Sequence, residues 1–368
     1  MLVVHHPDQA LHDPALVFRT GQFIAQPDRA ERYRIFLATA AADGHAIVEA
    51  PLGGIEPIVA VHDRDYVEFL RTVYDRWSAT PGLGPVAIPN VHPTHRMHRK
   101  PTELLGEFGW YSNSTSCPIT ADTWPSVHAS AQSAVHAADR LAASGGAVYA
   151  LCRPPGHHAY PDLMTGVCFL NNASIAAHRL TGRYGKVAIV DIDVHHGNGT
   201  QFIFWQRPDV LTCSIHVDPR LSAPFYAGYA DEVGEGPGKG LNFNQPLPWA
   251  TRDAVWLEAL DRALARVTEF APGALVVPLG FDGSEHDPVA TFKISHDGFA
   301  AAGRKLAGLK LPTVLVQEGG YLSPELGTCL RSFLRAFERA APFQLSTTSG
   351  ISRSVFSAPL SSADRPTR

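Results

Sequence analysis

Short runs of apolar, often β-branched residues recur along the chain, each ending in a polar or glycine-rich turn. They are AVYALC (147–152), KVAIVDI (186–192), VLTCSIHV (210–217), ALVVPLG (274–280) and TVLVQEGG (313–320). Because they do not alternate apolar with polar, both faces of each strand are expected to be covered, as in a parallel sheet between helical layers. Helical periods lie between them. Over 252–269, Leu257, Leu260, Leu264 and Val267 recur at helical spacing after Thr251, a candidate N-cap. A second helix is expected from about Pro125 to Ala143, with Thr123 as cap and Pro125 in the first turn. Alternating strands and helices predict an α/β fold.

Two stretches break this rhythm. Residues 79–122 are rich in Pro, Gly, Ser, Asn and His, include VHPTHRMHRK, and hold no sustained period, so they read as a long functional loop. Residues 344–368 are rich in Ser, Thr and Arg and read as a surface tail. A single domain over 1–343 followed by that tail is the expected organisation, and 368 residues at 45% hydrophobic content suffice for one large core.

Charge and cysteine usage narrow the partners. A formal net charge of −4 gives no basic footprint for nucleic acid. The start, MLVVHHPDQALHDP, has no basic segment followed by an apolar run, and no uncharged apolar stretch is long enough to span a bilayer. A soluble, cytoplasmic protein with a small-molecule partner is expected. Cys117, Cys152, Cys168, Cys213 and Cys329 are odd in number and contain no CxxC pair, which predicts reduced core thiols rather than disulfides or a thiolate metal site.

The chemistry gathers where the apolar runs end. DIDVHHGNGT (191–200) places Asp193 and His195 two apart, so that in extended geometry both project to one side. Asp282 in LGFDGSEHDP (279–288) can supply a third ligand. Two Asp and one His make an oxygen-rich site with room for water or a substrate oxygen, as a catalytic zinc requires. In CRPPGHHA (152–159) a turn presents His157 and His158 together, and such imidazoles transfer protons well beside a metal. In QEGGYL (317–322) a tight turn aims Tyr321 at the same end of the sheet, where a phenol could donate to an oxyanion. Alone, each motif has a plainer reading: chance for DxH, a solvated pair for HH, a simple turn for GGY. Four together at the carboxyl ends of strands point to one reaction.

With these residues the chain resembles the histone deacetylase superfamily, and over about residues 1 to 340 the bacterial acetylpolyamine amidohydrolases in particular. The motifs that carry the resemblance are RPPGHHA, GVCFLNNAS, DIDVHHGNGTQ, SIH, LGFDGSEHDP and QEGGY. It implies a three-layer αβα arginase/deacetylase-like fold around a mostly parallel eight-stranded sheet. It also implies zinc on Asp193, His195 and Asp282, general-base work by His158 with His157 as electrostatic or acid partner, and oxyanion stabilisation by Tyr321. Asp191 and Asn198 match positions that orient these imidazoles, Asn198 standing where many members have Asp. Oxygens of Asp191, Asp193, His195, Ser214 and Ile215 match a potassium site. Arg29 matches an arginine near the product-exit channel. The loop 79–122 corresponds to an insertion that narrows the active-site mouth through a dimer contact, so a homodimer or higher homo-oligomer is implied. His92, His95 and His98 in it read as solvated or interface residues rather than a second metal site.

The departures bear on substrate. Gly166 and Val167 occupy a motif where many members carry an aromatic, and Ala223 falls where a second tunnel aromatic is expected, which widens the tunnel unless Phe225 or Tyr226 refills it. Acidic residues that select cationic substrates correspond to Val17, Leu105 and Ser116, with Glu103 and Glu107 nearby. The reading is therefore hydrolysis of small acylated amines such as acetylpolyamines. The alternatives are a protein acetyl-lysine deacetylase and a hydrolase of bulkier amides. An arginase-like binuclear manganese enzyme needs bridging carboxylates that the sequence does not show, and a binding module on a dead scaffold predicts a lost ligand, His pair or Tyr321, none of which is lost.

Overall fold

In every central strand, odd and even positions are both apolar, and the structure sends them to opposite sides of one sheet. This is a computed structural model, and it describes residues 1–92, 98–289 and 291–341. The strands are β1 (Leu2–His5), β2 (Leu16–Arg19), β3 (Gln22–Ala25), β4 (Ala46–Glu49), β5 (Ala147–Ala150), β6 (Val187–Asp191), β7 (Val210–Val217), β8 (Asn242–Leu247), β9 (Ala274–Leu279) and β10 (Thr313–Gln317). β2 and β3 form a separate antiparallel hairpin. The other eight make one sheet in the order β4-β1-β5-β10-β9-β6-β7-β8, with every pairing parallel.

Ala188 and Val190 of β6, Leu275, Val277 and Leu279 of β9 and Leu315 of β10 pack with Phe36, Trp256, Phe299 and Phe333 from helices on one face. Their neighbours Val187, Ile189, Ala274, Val276, Val314 and Val316 pack with Ala134, Leu141, Ala173 and Leu180 from helices on the other. The αβα layering and parallel sheet are those expected. Each fully buried Leu, Val or Phe side chain contributes about 1.5–3 kcal/mol relative to exposure, so two-sided burial is what holds the central strands. A third cluster, including Tyr66, Phe69, Trp77, Phe108 and Phe169, lies under the segment that leads to the active-site end.

Topology positions the site. From β6 the chain runs outward through β7 and β8, then returns to place β9 on the other flank of β6, followed by β10. The order reverses between β6 and β9, and a crevice opens at the carboxyl ends of strands at such a point. The segments after β6 and β9 carry Asp193, His195 and Asp282; those after the flanking β5 and β10 carry His157, His158 and Tyr321.

Several boundaries differ from the expectation. The strands expected at 186–192 and 313–320 end at Asp191 and Gln317, so Asp193 and His195 lie in a bent segment rather than on the strand. The helix expected from Pro125 is Thr123–Ser144, with Thr123 already inside it and its Oγ1 accepting from Thr120 N at 2.8 Å. The helix after Thr251 is Asp253–Phe270; Thr251 Oγ1 donates to Pro248 O, and Arg252 is the N-cap. β1, β4 and β8 were not legible: two are four-residue strands, and β8 (NFNQPL) is an edge strand whose Asn242, Asn244 and Pro246 do not read as a buried strand.

Nor is 79–122 featureless where described. It contains the helix Leu104–Trp110 and an Ala87–Ile119 bridge, and buries Phe108, Tyr111, Cys117 and Ile119. His92 Nδ1 lies 2.6 Å from Ser112 O, and His98 is exposed. His95 and the tail 344–368 fall outside the described residues. All five cysteines are buried free thiols. Among the described residues no helix is long and apolar enough to cross a membrane.

Candidate active site

Asp193, His195 and Asp282 bring one ligand atom each to within 4.8 Å of one another. Asp193 and Asp282 are almost fully buried. Backbone amides fix the carboxylates: His195 N donates to Asp193 Oδ1 at 2.9 Å, Gly319 N to Asp193 Oδ2 at 2.8 Å, and Val194 N to Asp282 Oδ1 at 3.1 Å. His195 Nδ1 lies 2.9 Å from Asp282 Oδ2 and 3.2 Å from Asp193 Oδ1. Burial disfavours the charged imidazole, yet these two carboxylates push His195 up to about 10. Burial and the like charge of Asp193 together raise Asp282. Two buried carboxylates this close require a compensating cation, and an oxygen-rich set with one imidazole fits a divalent metal. A second group with similar spacing, His157, Cys168 and Glu318, fits poorly. Burial holds Cys168 well above the usual thiol range, and Glu318 Oε2 accepts from Gly156 N and His157 N at 2.7 and 3.1 Å.

The two adjacent histidines have opposite surroundings. His157 Nδ1 donates to Asp191 Oδ2 at 3.0 Å, and its Nε2 lies 3.8 Å from Asp193 Oδ1. Burial opposes its charge, but Asp193 and Asp191 outweigh it and push His157 up to about 10. His158 Nδ1 donates to Asn198 Oδ1, a neutral acceptor, at 2.6 Å. Burial, reinforced by the charges of His157 and His195, holds His158 well below the usual range. The rings are 4.1 Å apart between centroids. A cationic and a neutral imidazole side by side form an acid and base pair whose environments separate their roles. With Nδ1–H engaged by Asn198, Nε2 of His158 keeps its lone pair.

The GNG of DIDVHHGNGT lets this arrangement close. Gly199 N and Thr200 N donate to His157 O at 3.1 and 3.2 Å, and a Cβ at Gly199 would stand 2.1 Å from Ala159 O. On the opposite side, Tyr321 is buried, its backbone N donating to Asp287 Oδ2 at 2.6 Å. Burial and then Asp282 raise its phenol well above the usual range, so it stays protonated and able to donate.

These groups face a cavity of about 330 Å³ whose wall includes His157, His158, Asp193, His195, Asn198 and Tyr321. Gly166, Val167, Ala223 and Phe225 also line it, as does Tyr226. Phe225 and Tyr226 are 61% and 55% exposed, so they stand at the mouth rather than filling the interior. Val167 and Phe225 both have positive φ, 62° and 65°, a costly conformation for a β-branched or bulky residue outside a functional loop. Asp191 sits behind His157, paired in register with Ser214 of β7, and Ile215 follows in the same strand.

Arg29 pairs with Asp13 at 3.0 Å. Arg32, three residues further on, reaches the site: it bonds to Asp28, donates to Glu318 O at 2.6 Å and to Gly320 O, and lies 4.9 Å over the Tyr321 ring. Of the positions where acidic selectors were expected, Val17 and Ser116 line the cavity; Leu105, Glu103 and Glu107 do not. Sequence reasoning also missed Glu318, Arg153 and Asp28, all buried. The available signal was a charged residue inside an otherwise apolar or turn motif, as in QEGGY and CRPPG.

Comparison with known proteins agrees with this architecture. The histone deacetylase domain pattern matches residues 24–337. An acetylpolyamine amidohydrolase of Burkholderia pseudomallei (strain 1710b) is 43% identical over 92% of this chain and 98% of its own length. Acetylpolyamine amidohydrolase 1 of Pseudomonas aeruginosa is 40% identical over 93% of this chain and 100% of its own. The crystal structure of an acetylpolyamine aminohydrolase from Burkholderia pseudomallei superposes with a TM-score of 0.90 at 42% identity, covering 92% of this chain and 99% of that one. Likeness of this breadth means that the chain belongs to the histone deacetylase family of metal-dependent amidohydrolases.

Proposed function

We propose that this chain is a zinc-dependent amidohydrolase that cleaves small acylated amines, with Asp193, His195 and Asp282 as metal ligands. The observation that carries the reading is one cavity lined by a neutral His158, a protonated Tyr321, Asp193 and His195, with the buried Asp282 within ligand distance of the last two. The names of the relatives point to acetylpolyamines as reference substrates.

Zinc bound there would supply Lewis-acid polarisation of the amide carbonyl and a lowered pKa for attacking water. His158 Nε2 takes the proton from the attacking water. His157, held cationic by Asp191, stabilises the developing negative charge and favours return of a proton to the leaving amine. Tyr321 donates its phenol hydrogen to the tetrahedral oxyanion. Asp191 and Asn198 act on the rings by fixing which nitrogen carries the hydrogen.

The same reading includes a potassium ion on oxygens of Asp191, Asp193, His195, Ser214 and Ile215, supported by the Asp191–Ser214 register. It includes a homodimer, supported by exposed Phe18, Phe23, Val91 and Phe225. A cytoplasmic setting is supported by five buried thiols without a disulfide. The test is turnover by zinc-loaded protein of a panel of acetylated amines and larger amides, with Tyr321→Phe alongside. Wild-type turnover with a loss of about 10²–10³ in kcat for the variant is expected. Absence of turnover on every amide would overturn the reading.

A further inference from the structure

A polyamine amide carries ammonium groups beyond the scissile bond, and a wall that selects it by ion pairing needs carboxylates for those charges. Among the described residues the cavity wall holds one carboxylate, Asp193, already committed to the metal-ligand set. Val17 and Ser116, on the wall where acidic selectors were expected, carry no charge. Of the carboxylates nearby, Asp13 pairs with Arg29 at 3.0 Å, Asp28 with Arg32 and Glu107 with Arg76 at 2.6 Å, while Glu103 is exposed and off the cavity wall.

Among the described residues, Arg19, exposed at the end of β2, is the one Arg or Lys side chain on the wall. Within β2, Val17 and Arg19 are two apart and share a face; Val17 is 1% exposed. The hairpin therefore carries this face from the closed interior out to an arginine at the mouth. Gln26, just past β3, lies on the same wall, is 2% exposed, and its Oε1 has no hydrogen-bond partner. That oxygen is an acceptor and does not itself select an anion. The arginine, on a wall with no free carboxylate, suits a chain that ends in an acceptor.

We propose that this chain selects acylated amines whose amine portion ends in an anion, a carboxylate in particular, with Arg19 at the mouth as the specificity-determining residue. This rests on the amidohydrolase reading and specifies the substrate of that same site. A compound such as an ω-acylamino acid lays its amide against the His pair and its carboxylate against the guanidinium, a geometry in which Arg is the better partner than Lys. A polycationic amine meets the same guanidinium as a like charge.

The test uses three acetamides of equal chain length on the zinc-loaded protein: 6-acetamidohexanoate, N-pentylacetamide and N-acetylcadaverine. They differ only at the far end, which is anionic, neutral or cationic. Each kcat/KM is normalised to the neutral amide on the same variant, so general damage cancels. An exposed ion pair contributes a few-fold and the corresponding repulsion a similar factor, so the anionic compound should exceed the cationic one by about tenfold, less at high salt. Arg19→Gln should remove the preference and Arg19→Glu invert it. Preference for the cationic compound, indifference among the three, or a ratio unmoved by Arg19→Glu overturns the inference. Hydrolysis of the neutral amide in that case leaves the amidohydrolase reading standing. Failure on all three, with acetylpolyamines also inert, overturns both.

Discussion

Gly319 links the oxyanion side of the cavity to the proposed metal ligands, and adding one methyl there tests that link without altering a ligand. Its N–H donates to Asp193 Oδ2 at 2.8 Å. A Cβ built on it would stand 2.4 Å from Asp282 Oδ2 and 2.5 Å from Asp193 Oδ2. Ordinary contact begins near 3.4 Å, so in Gly319→Ala either both carboxylates retreat by about 1 Å or the backbone recedes and its hydrogen bond is lost. Metal sites tolerate errors of about 0.2 Å in ligand distance. Disturbing a group that orients ligands typically lowers affinity 10–100-fold, or about 1.4–2.7 kcal/mol. The assay is zinc affinity of metal-stripped protein by competition with a chromophoric chelator, with the melting midpoint recorded for stripped and loaded forms. Gly182→Ala, on an exposed helical position with no atom near its Cβ, serves as control. The expected outcome is a Kd raised 10–100-fold and a smaller rise in midpoint on zinc loading. A folded Gly319→Ala protein that binds zinc within twofold of wild type would refute the reasoning and place the metal elsewhere.

Three further expectations follow from the same geometry. Burial alone would raise the Asp28 carboxyl, but Arg153 and Arg32 hold it below its usual range, so its contribution to stability is present above the unfolded pKa and is lost as pH falls through the folded one. Wild-type denaturation midpoints should therefore fall below roughly pH 4, and Asp28→Asn, which strands two buried guanidiniums, should cost about 3–5 kcal/mol at neutral pH and flatten that dependence; a neutral-pH loss under 1 kcal/mol would contradict the buried network. Gly166→Ala meets both a positive φ of 56° and a contact of 2.4 Å from its Cβ to His158 Cδ2, so kcat should fall about 10²-fold through misplacement of the base, with zinc affinity as the readout that stays near wild type. Asn198→Asp puts a carboxylate against the His158 Nδ1–H, which raises the pKa of that ring, so the acidic limb of the kcat/KM profile should move to higher pH, and a limb that stays put or moves down would argue against His158 as the base.

Much of the site was legible because its residues lie beside strong local signals. The apolar runs at β5, β6, β7, β9 and β10 were readable from composition, since burial on two faces leaves no polar positions to confuse the period. The motifs that follow them, with Asp193, His195, Asp282, the His pair and Tyr321, were readable as chemistry because each strand ends where its motif begins. Less legible were the short outer strands and the helix inside 79–122, where a few residues cannot establish a period.

What the tertiary structure alone decided is which groups meet. The reversal of strand order between β6 and β9 brings Asp282 to Asp193 and His195 across 87 residues of chain from His195, and no local pattern encodes that pairing. Arg32 rather than Arg29 reaches Tyr321 because helix Ala30–Ala42 turns one toward the buried loop and its N-cap neighbour toward the surface. Glu318 and Asp28 became visible as buried partners only when packing removed water from them and brought backbone amides to Glu318 Oε2 and guanidiniums to Asp28. The charge of the mouth was likewise unreadable in one dimension, because Arg19, Gln26 and the uncharged Val17 and Ser116 share a wall only after the hairpin folds over the carboxyl ends of the sheet. Local periodicity follows from short-range geometry along the chain; the electrostatics of a cavity follows from long-range contacts that the chain order does not show.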